Sequence, residues 1–197
     1  MNVLVVFCHP RAESFAASAL GRAVEGLERR GHACRVRDLY REGFQPALSA
    51  EESSAYEELG GAAAGVRAYA EDLGWAQGLL MVYPTWWYGL PAMLKGWLDR
   101  VWLPGVAFVL DEQRRFQPGP LRHVTRMMAV TTYGSPWSWI RLGVGAPDQK
   151  MARRGLKALL SPACRTKWLG LYGMDRNTAL QRARFLDRVE REMRFFG

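Results

Sequence analysis

The chain has 197 residues, of which 49% are apolar, 23% charged and 12% aromatic, enough for a full core and incompatible with a disordered chain. Three cysteines, at 8, 34 and 164, lack CxxC spacing, which excludes a disulfide scaffold or zinc finger and suits a reducing, cytoplasmic setting. Residues 1–100 carry 10 basic against 12 acidic side chains and residues 101–197 carry 17 against 7, for a net +8, so the second half could face an anionic partner.

Val3-Leu4-Val5-Val6-Phe7 is a continuous apolar run, as in a central parallel strand covered on both faces. It is too short, and lacks the basic leader, for a signal peptide. Phe15, Ala19, Leu20, Ala23, Val24 and Leu27 then recur at helical spacing until Gly31. Cys34–Arg37 alternates as a more exposed strand, and residues 41–61 are a connection with a short helix from Ser49. Ala62 to Trp75 reads as a second helix, and Gly78–Tyr83 as the next buried strand.

Trp75 to Leu94 is uncharged throughout, but Pro84 and Pro91 divide it into strand, loop and helix start, so no membrane span is expected. Leu90, Leu94, Trp97 and Val101 share one face of the helix that follows, with Lys95 and Asp99 paired at i, i+4. Pro104 to Pro120 is a Gly- and Pro-rich excursion. Val124–Thr131 is a fourth strand, Gln149–Leu160 a helix, Arg165–Tyr172 a fifth strand and Thr178–Phe196 a final helix. Strands and helices alternate five times, the pattern of a doubly wound α/β sheet in a single domain over 1–197.

Ligands of such sheets bind outside the carboxyl ends of the strands. Cys8–Phe15 leads from a buried strand into a helix N-terminus, where free N–H groups suit a phosphate and His9, Arg11 and Ser14 could add donors. A Ser14 helix cap and a surface His9 would explain the same residues. The aromatic loop Pro84-Thr85-Trp86-Trp87-Tyr88-Gly89 wants a flat apolar surface, either a ring or another subunit. Thr131-Thr132-Tyr133-Gly134-Ser135 brings hydroxyls and exposed backbone to a third strand end. Together they suit a planar ligand with a phosphate, such as a flavin nucleotide. GxGxxG, GxSxG, a Cys-x5-Arg loop and metal-ligand spacing are absent. No catalytic side chain and no metal site is assigned. Glu51-Glu52 and Glu57-Glu58 read as solvated helix faces, and Met127-Met128 as core.

Four stretches resemble the NAD(P)H:quinone reductase (DT-diaphorase-like) family of flavodoxin-like flavoproteins. They are His9-Pro10…Ser14-Phe15; Asp38-Leu39-Tyr40…Gly43-Phe44-Gln45-Pro46; Pro84…Trp87-Tyr88-Gly89-Leu90-Pro91-Ala92…Leu94-Lys95-Gly96-Trp97-Leu98-Asp99-Arg100-Val101; and Thr131-Thr132-x-Gly134. The resemblance implies a five-stranded parallel sheet of order 2-1-3-4-5. It implies FAD or FMN as bound cofactor and NAD(P)H as co-substrate, with hydride transfer through flavin N5 to a quinone or similar flat acceptor. His9, Ser14, Phe15 and Ala16, the last standing where many relatives have Asn, would hold the phosphate and ribityl chain. Pro84, Thr85, Trp86, Trp87 and Tyr88 would lie along the ring edge and offer backbone N–H groups. Thr131, Thr132, Tyr133 and Gly134 would close the other side.

The same resemblance makes Asp38 a structural turn residue and implies a homodimer. The Tyr and His that relay a proton in DT-diaphorase-like members have no counterpart in Trp137–Gly145. The FMN-or-FAD choice is expected to turn on the Pro104–Pro120 excursion. The family also supplies flavin-binding ancillary subunits of glutathione-gated potassium-efflux systems, which touch a membrane transporter; that is the alternative function. A nucleic-acid partner is not expected, since charge is its only support. A flavodoxin-type electron carrier fits poorly with a basic chain.

Overall fold

The computed structural model describes residues 1–55, 64–113 and 115–197. Five strands form a parallel sheet: β1 Asn2–Phe7, β2 Ala33–Asp38, β3 Gly78–Pro84, β6 Arg126–Tyr133 and β7 Arg165–Tyr172. Their spatial order is β2-β1-β3-β6-β7, which is 2-1-3-4-5 when only these five are counted. The central strands are apolar because both faces are covered: Val3 to Val6 are all fully buried. Alternate side chains divide between two cores. Leu4, Val6, Leu79 and Met81 meet α3 (Arg67–Trp75) and α4 (Ala92–Val101) on one side. Val3, Val5, Leu80 and Val82 meet α1 (Phe15–Glu28) and α7 (Ala179–Glu192) on the other. Met127 and Met128 are core, one on each side.

Two glycines set close approaches. A Cβ on Gly26 would lie 2.7 Å from the Glu190 carbonyl oxygen, so α1 and α7 touch through bare backbone there. A Cβ on Gly96 would collide with the Pro46 carbonyl oxygen, so bare backbone seats α4 on the loop after β2. That loop carries Asp38, whose Oδ1 accepts from the Arg41 N–H at 3.1 Å, a turn-forming contact.

Several local expectations shift. The second helix is not continuous from 62: a 3₁₀ turn, Ala64–Val66, precedes α3, and residues 62 and 63 lie outside the described residues. α2 is Ala50–Ala55, and a reciprocal Ser49–Glu52 pair caps it. Glu52 is not a solvated face residue. It grips Arg100 of α4 in a two-point ion pair, because Arg100 also reaches the Gln45 carbonyl and is itself mostly covered. Glu57 and Glu58 lie outside the described residues.

The excursion after α4 folds partly into an antiparallel hairpin, β4 Phe108–Leu110 with β5 Phe116–Pro118. The fourth sheet strand is β6, Arg126–Tyr133, two residues further on at each end than expected. Thr132 pairs with Pro84 and Tyr133 with Tyr172, and β-branched and aromatic side chains suit the pleat. The next helix begins at Pro147, the favoured first position for proline. It runs as α5 (Pro147–Lys150), a π-helical stretch (Met151–Leu156) and α6 (Lys157–Leu159). Among the described residues no helix is long and apolar enough to cross a membrane.

Candidate functional site

Because β1, β3 and β6 are neighbours, the loops at their carboxyl ends lie side by side. After β1, Ser14 caps α1: its Oγ accepts from the Ala17 N–H at 3.1 Å. The Phe15 and Ala16 N–H groups precede the first intrahelical bond, Ser18 N–H to the Ser14 carbonyl, so they are free to face an anion. The Ala16 methyl is buried, which leaves its amide as the only contribution it can make. His9 Nδ1 accepts from the Arg11 N–H at 3.0 Å. Desolvation pulls its pKa below the ordinary histidine value, which favours the neutral ring; Nδ1 also lies 3.1 Å from the Arg11 carbonyl oxygen, so the proton's seat on the ring follows the tautomer. His9 also borders a hollow of about 410 Å³ with Phe7, Asp38 and Tyr40.

After β3 the chain makes a tight reversal. Trp86 and Gly89 exchange backbone hydrogen bonds of 3.2 and 2.9 Å, while Trp87 and Tyr88 between them have φ of +47° and +62°. This is a type I′ geometry, normally the province of Asn-Gly. Two bulky residues there cost roughly 1–2 kcal/mol each, and strain of this kind collects at working sites. Thr85 N–H donates to the Thr132 carbonyl at 2.9 Å, and Trp86 N–H is taken up by the turn. Pro84 has none. Of the five loop residues expected to offer amides, only Trp87 and Tyr88 retain a free N–H among the described residues. The Trp87 side chain is 95% exposed.

Thr85, Trp87 and Tyr88 line one wall of a recess of about 220 Å³; Tyr133, Gly134, Ser135 and Ile140 line the other. Thr131 is buried beneath it, its hydroxyl 2.9 Å from that of Thr85. Trp86 stands half-exposed outside. Trp139 donates its indole N–H to the Tyr88 hydroxyl at 3.2 Å across the mouth. Ser135 belongs to the third loop expected at this edge, while sequence reasoning missed Ile140 as a lining residue; its only local signal is position past a strand end.

Behind the recess lies a buried polar layer. The Tyr133 hydroxyl donates to Asp148 Oδ2 at 2.6 Å and accepts from Trp168 Nε1 at 2.9 Å. Gln149 Nε2 donates to the hydroxyls of Tyr133 and Tyr172, 3.3 Å from each. The rings of Tyr133 and Tyr172 stack 4.6 Å apart. The ring of Tyr133 therefore points its hydroxyl inward. Burial raises the Asp148 pKa. Burial also pushes the Cys8 thiol up to about 12, so it holds no thiolate at neutral pH. Among the described residues no cluster could hold a metal ion. The site offers amides, one neutral imidazole and flat aromatic surface.

A family model described as "Flavodoxin-like fold" matches residues 1–190. The chain belongs to that flavodoxin-like family. Within it, the chain is 31% identical over 168 residues to a ribosyldihydronicotinamide dehydrogenase-like protein of Penicillium crustosum, covering 75% of this chain and 63% of that one. It is 31% identical over 164 residues to human ribosyldihydronicotinamide dehydrogenase [quinone], covering 75% and 70%. The chain thus spans under two thirds of the fungal relative's length. A solved flavodoxin-like structure, the NAD(P)H:quinone oxidoreductase from Methanothermobacter marburgensis, superposes with a TM-score of 0.83 at 28% identity, covering 100% of this chain and 99% of that one.

Proposed function

We propose that this chain is a flavin-dependent NAD(P)H oxidoreductase acting on quinones or similar flat acceptors. The observation that carries this is the strained Trp87-Tyr88 turn, which spends conformational energy to leave two amides free on residues that line the recess. The donor set fits a flavin: ring-edge amides from Trp87 and Tyr88, and helix-end amides, Ser14 and His9 for its phosphate. A bound flavin would supply the two-electron chemistry, taking a hydride at N5 from NAD(P)H and passing reducing equivalents to the acceptor.

The chain's own part is to bind, orient and shield. Thr85 and Thr131 lock the β3 and β6 ends together through their hydroxyls, fixing the two walls. Gly134 brings bare backbone to its side of the recess. Tyr88 Oη accepts from Trp139 and keeps its own hydrogen to donate to a substrate carbonyl at the mouth. The hollow beside His9 and Tyr40, which no described residue of the Pro104–Pro120 excursion lines, gives room for the adenosine half of FAD and moves the FMN-or-FAD choice to this hollow. Trp86, Trp87, Trp137, Trp139 and Leu142 are all at least half exposed around the mouth, which supports a homodimer that covers them.

The test is to incubate the purified chain with FMN or FAD, remove the excess, and follow NADPH oxidation with a simple benzoquinone. Parallel double-reciprocal lines are expected, since donor and acceptor would use one recess in turn. Flavin-loaded protein that oxidises no nicotinamide would overturn the reading.

A further inference from the structure

On the far side of Ile140 and Tyr133 lies a second hollow, of about 290 Å³, lined by Arg141, Lys150, Arg153 and Arg154 with Gly145 and Gln149. Lys150, Arg153 and Arg154 stand at i, i+3 and i+4, so they share one helix face, where like charges repel. Arg141 enters from the opposite loop. Several arginines elsewhere on this chain find carboxylates: Arg22 with Glu190, Arg35 and Arg37 with Asp72, Arg100 with Glu52. Among the described residues these four cations meet none.

The hollow is also built rather than accidental. Gln149, 3% exposed, accepts from Arg141 Nη1 at 2.8 Å and so aims the guanidinium. Its amide nitrogen is tied to Tyr133, so the same side chain connects this hollow to the recess. The chain turns into it through Gly145 and Ala146, with φ of +74° and +49°. A Cβ on Gly145 would lie 2.8 Å from Lys150 Nζ, so the bare glycine lets the ammonium fold over the loop.

We propose that this hollow is a binding subsite for a phosphate monoester or diphosphate. Three guanidinium forks and one ammonium suit the several oxygens of such a group. Its position against the recess makes the 2′-phosphate of NADPH the expected occupant, which would set preference for NADPH over NADH. That last assignment rests on the proposed nicotinamide-dependent function; the phosphate subsite does not.

The test compares wild type with an Arg153→Gln/Arg154→Gln double variant, both changes being at exposed positions. Thermal shift is measured at low salt with inorganic pyrophosphate, adenosine 2′,5′-bisphosphate and AMP. Both pyrophosphate and the bisphosphate are expected to raise the wild-type Tm, and to raise that of the variant much less. In turnover, the variant is expected to lose about tenfold in kcat/KM for NADPH through KM, with NADH unchanged; tenfold corresponds to about 1.4 kcal/mol. An unchanged nucleotide preference, with the pyrophosphate shift present in wild type and diminished in the variant, supports the subsite but assigns it to a free phosphate anion. Equal shifts for wild type and variant, with equal nucleotide preference, overturn the subsite. Absence of any nicotinamide turnover would count against the proposed function, while the thermal shifts still decide the subsite.

Discussion

The Tyr133 hydroxyl donates to Asp148 Oδ2 at 2.6 Å, and both side chains are almost fully buried directly behind the recess. One end of this pair is a carboxyl that burial makes reluctant to ionise. The fold therefore favours the protonated form. Its stabilising effect is fully present below the unfolded-state value of about 3.9 and is lost as pH rises from there through the raised folded value. Asp148→Asn removes this dependence while keeping an oxygen to accept from Tyr133. The Tm of wild type minus that of the variant is expected to fall as pH rises through that window and to be flat above it. Glu52 and Glu192, held low by Arg100 and Lys167, act in the opposite sense but are common to both proteins. A difference that does not change with pH would contradict the account.

The turn at Trp87 and Tyr88 predicts a trade between stability and binding. Trp87 sits at φ +47° with its side chain almost wholly exposed, so little packing is lost on removing it. Trp87→Gly is expected to stabilise the ligand-free chain by about 1 kcal/mol, the gain of relieving one left-handed residue. It is also expected to weaken flavin or acceptor binding. Urea denaturation and flavin titration check the two halves separately. A destabilised variant would mean that the indole packs where it now stands free.

Tyr88→Phe keeps the ring and removes the hydroxyl that accepts from Trp139. The expected result is a fall of about tenfold in kcat/KM for the quinone, the worth of one hydrogen bond of about 1.4 kcal/mol. Flavin affinity should stay as in wild type. Stopped-flow measurement of the two half-reactions separates them: oxidation by quinone slows, and reduction by NADPH does not.

Much of this architecture is written locally. The buried strands announced themselves as unbroken apolar runs, and Ser14 and Thr178 each begin a helix with a side-chain cap. The three loops of the candidate site followed from strand order once β1, β3 and β6 were placed. What escaped depends on distant partners. Thr132 and Tyr133 look like loop residues until their pairing with β3 and β7 draws them into the sheet. Arg100 pairs with Glu52 across 48 positions, and Trp168 reaches Tyr133 across 35, distances at which no local pattern speaks. The Trp87-Tyr88 turn was hidden for another reason: its geometry is one that sequence rules reserve for Asn and Gly. The basic hollow was visible only as a charge excess spread over the second half, until the fold gathered four of those charges.

The central claim is that amides and aromatic faces at the carboxyl edge of the sheet hold a flavin. Titrating the chain with FMN and with FAD, while following flavin fluorescence and tryptophan emission together, tests it most directly. One flavin per chain is expected, its fluorescence quenched and the emission of the exposed Trp86 and Trp87 quenched with it. A folded chain that leaves both flavins free in solution, with its tryptophan emission unchanged, would contradict the claim.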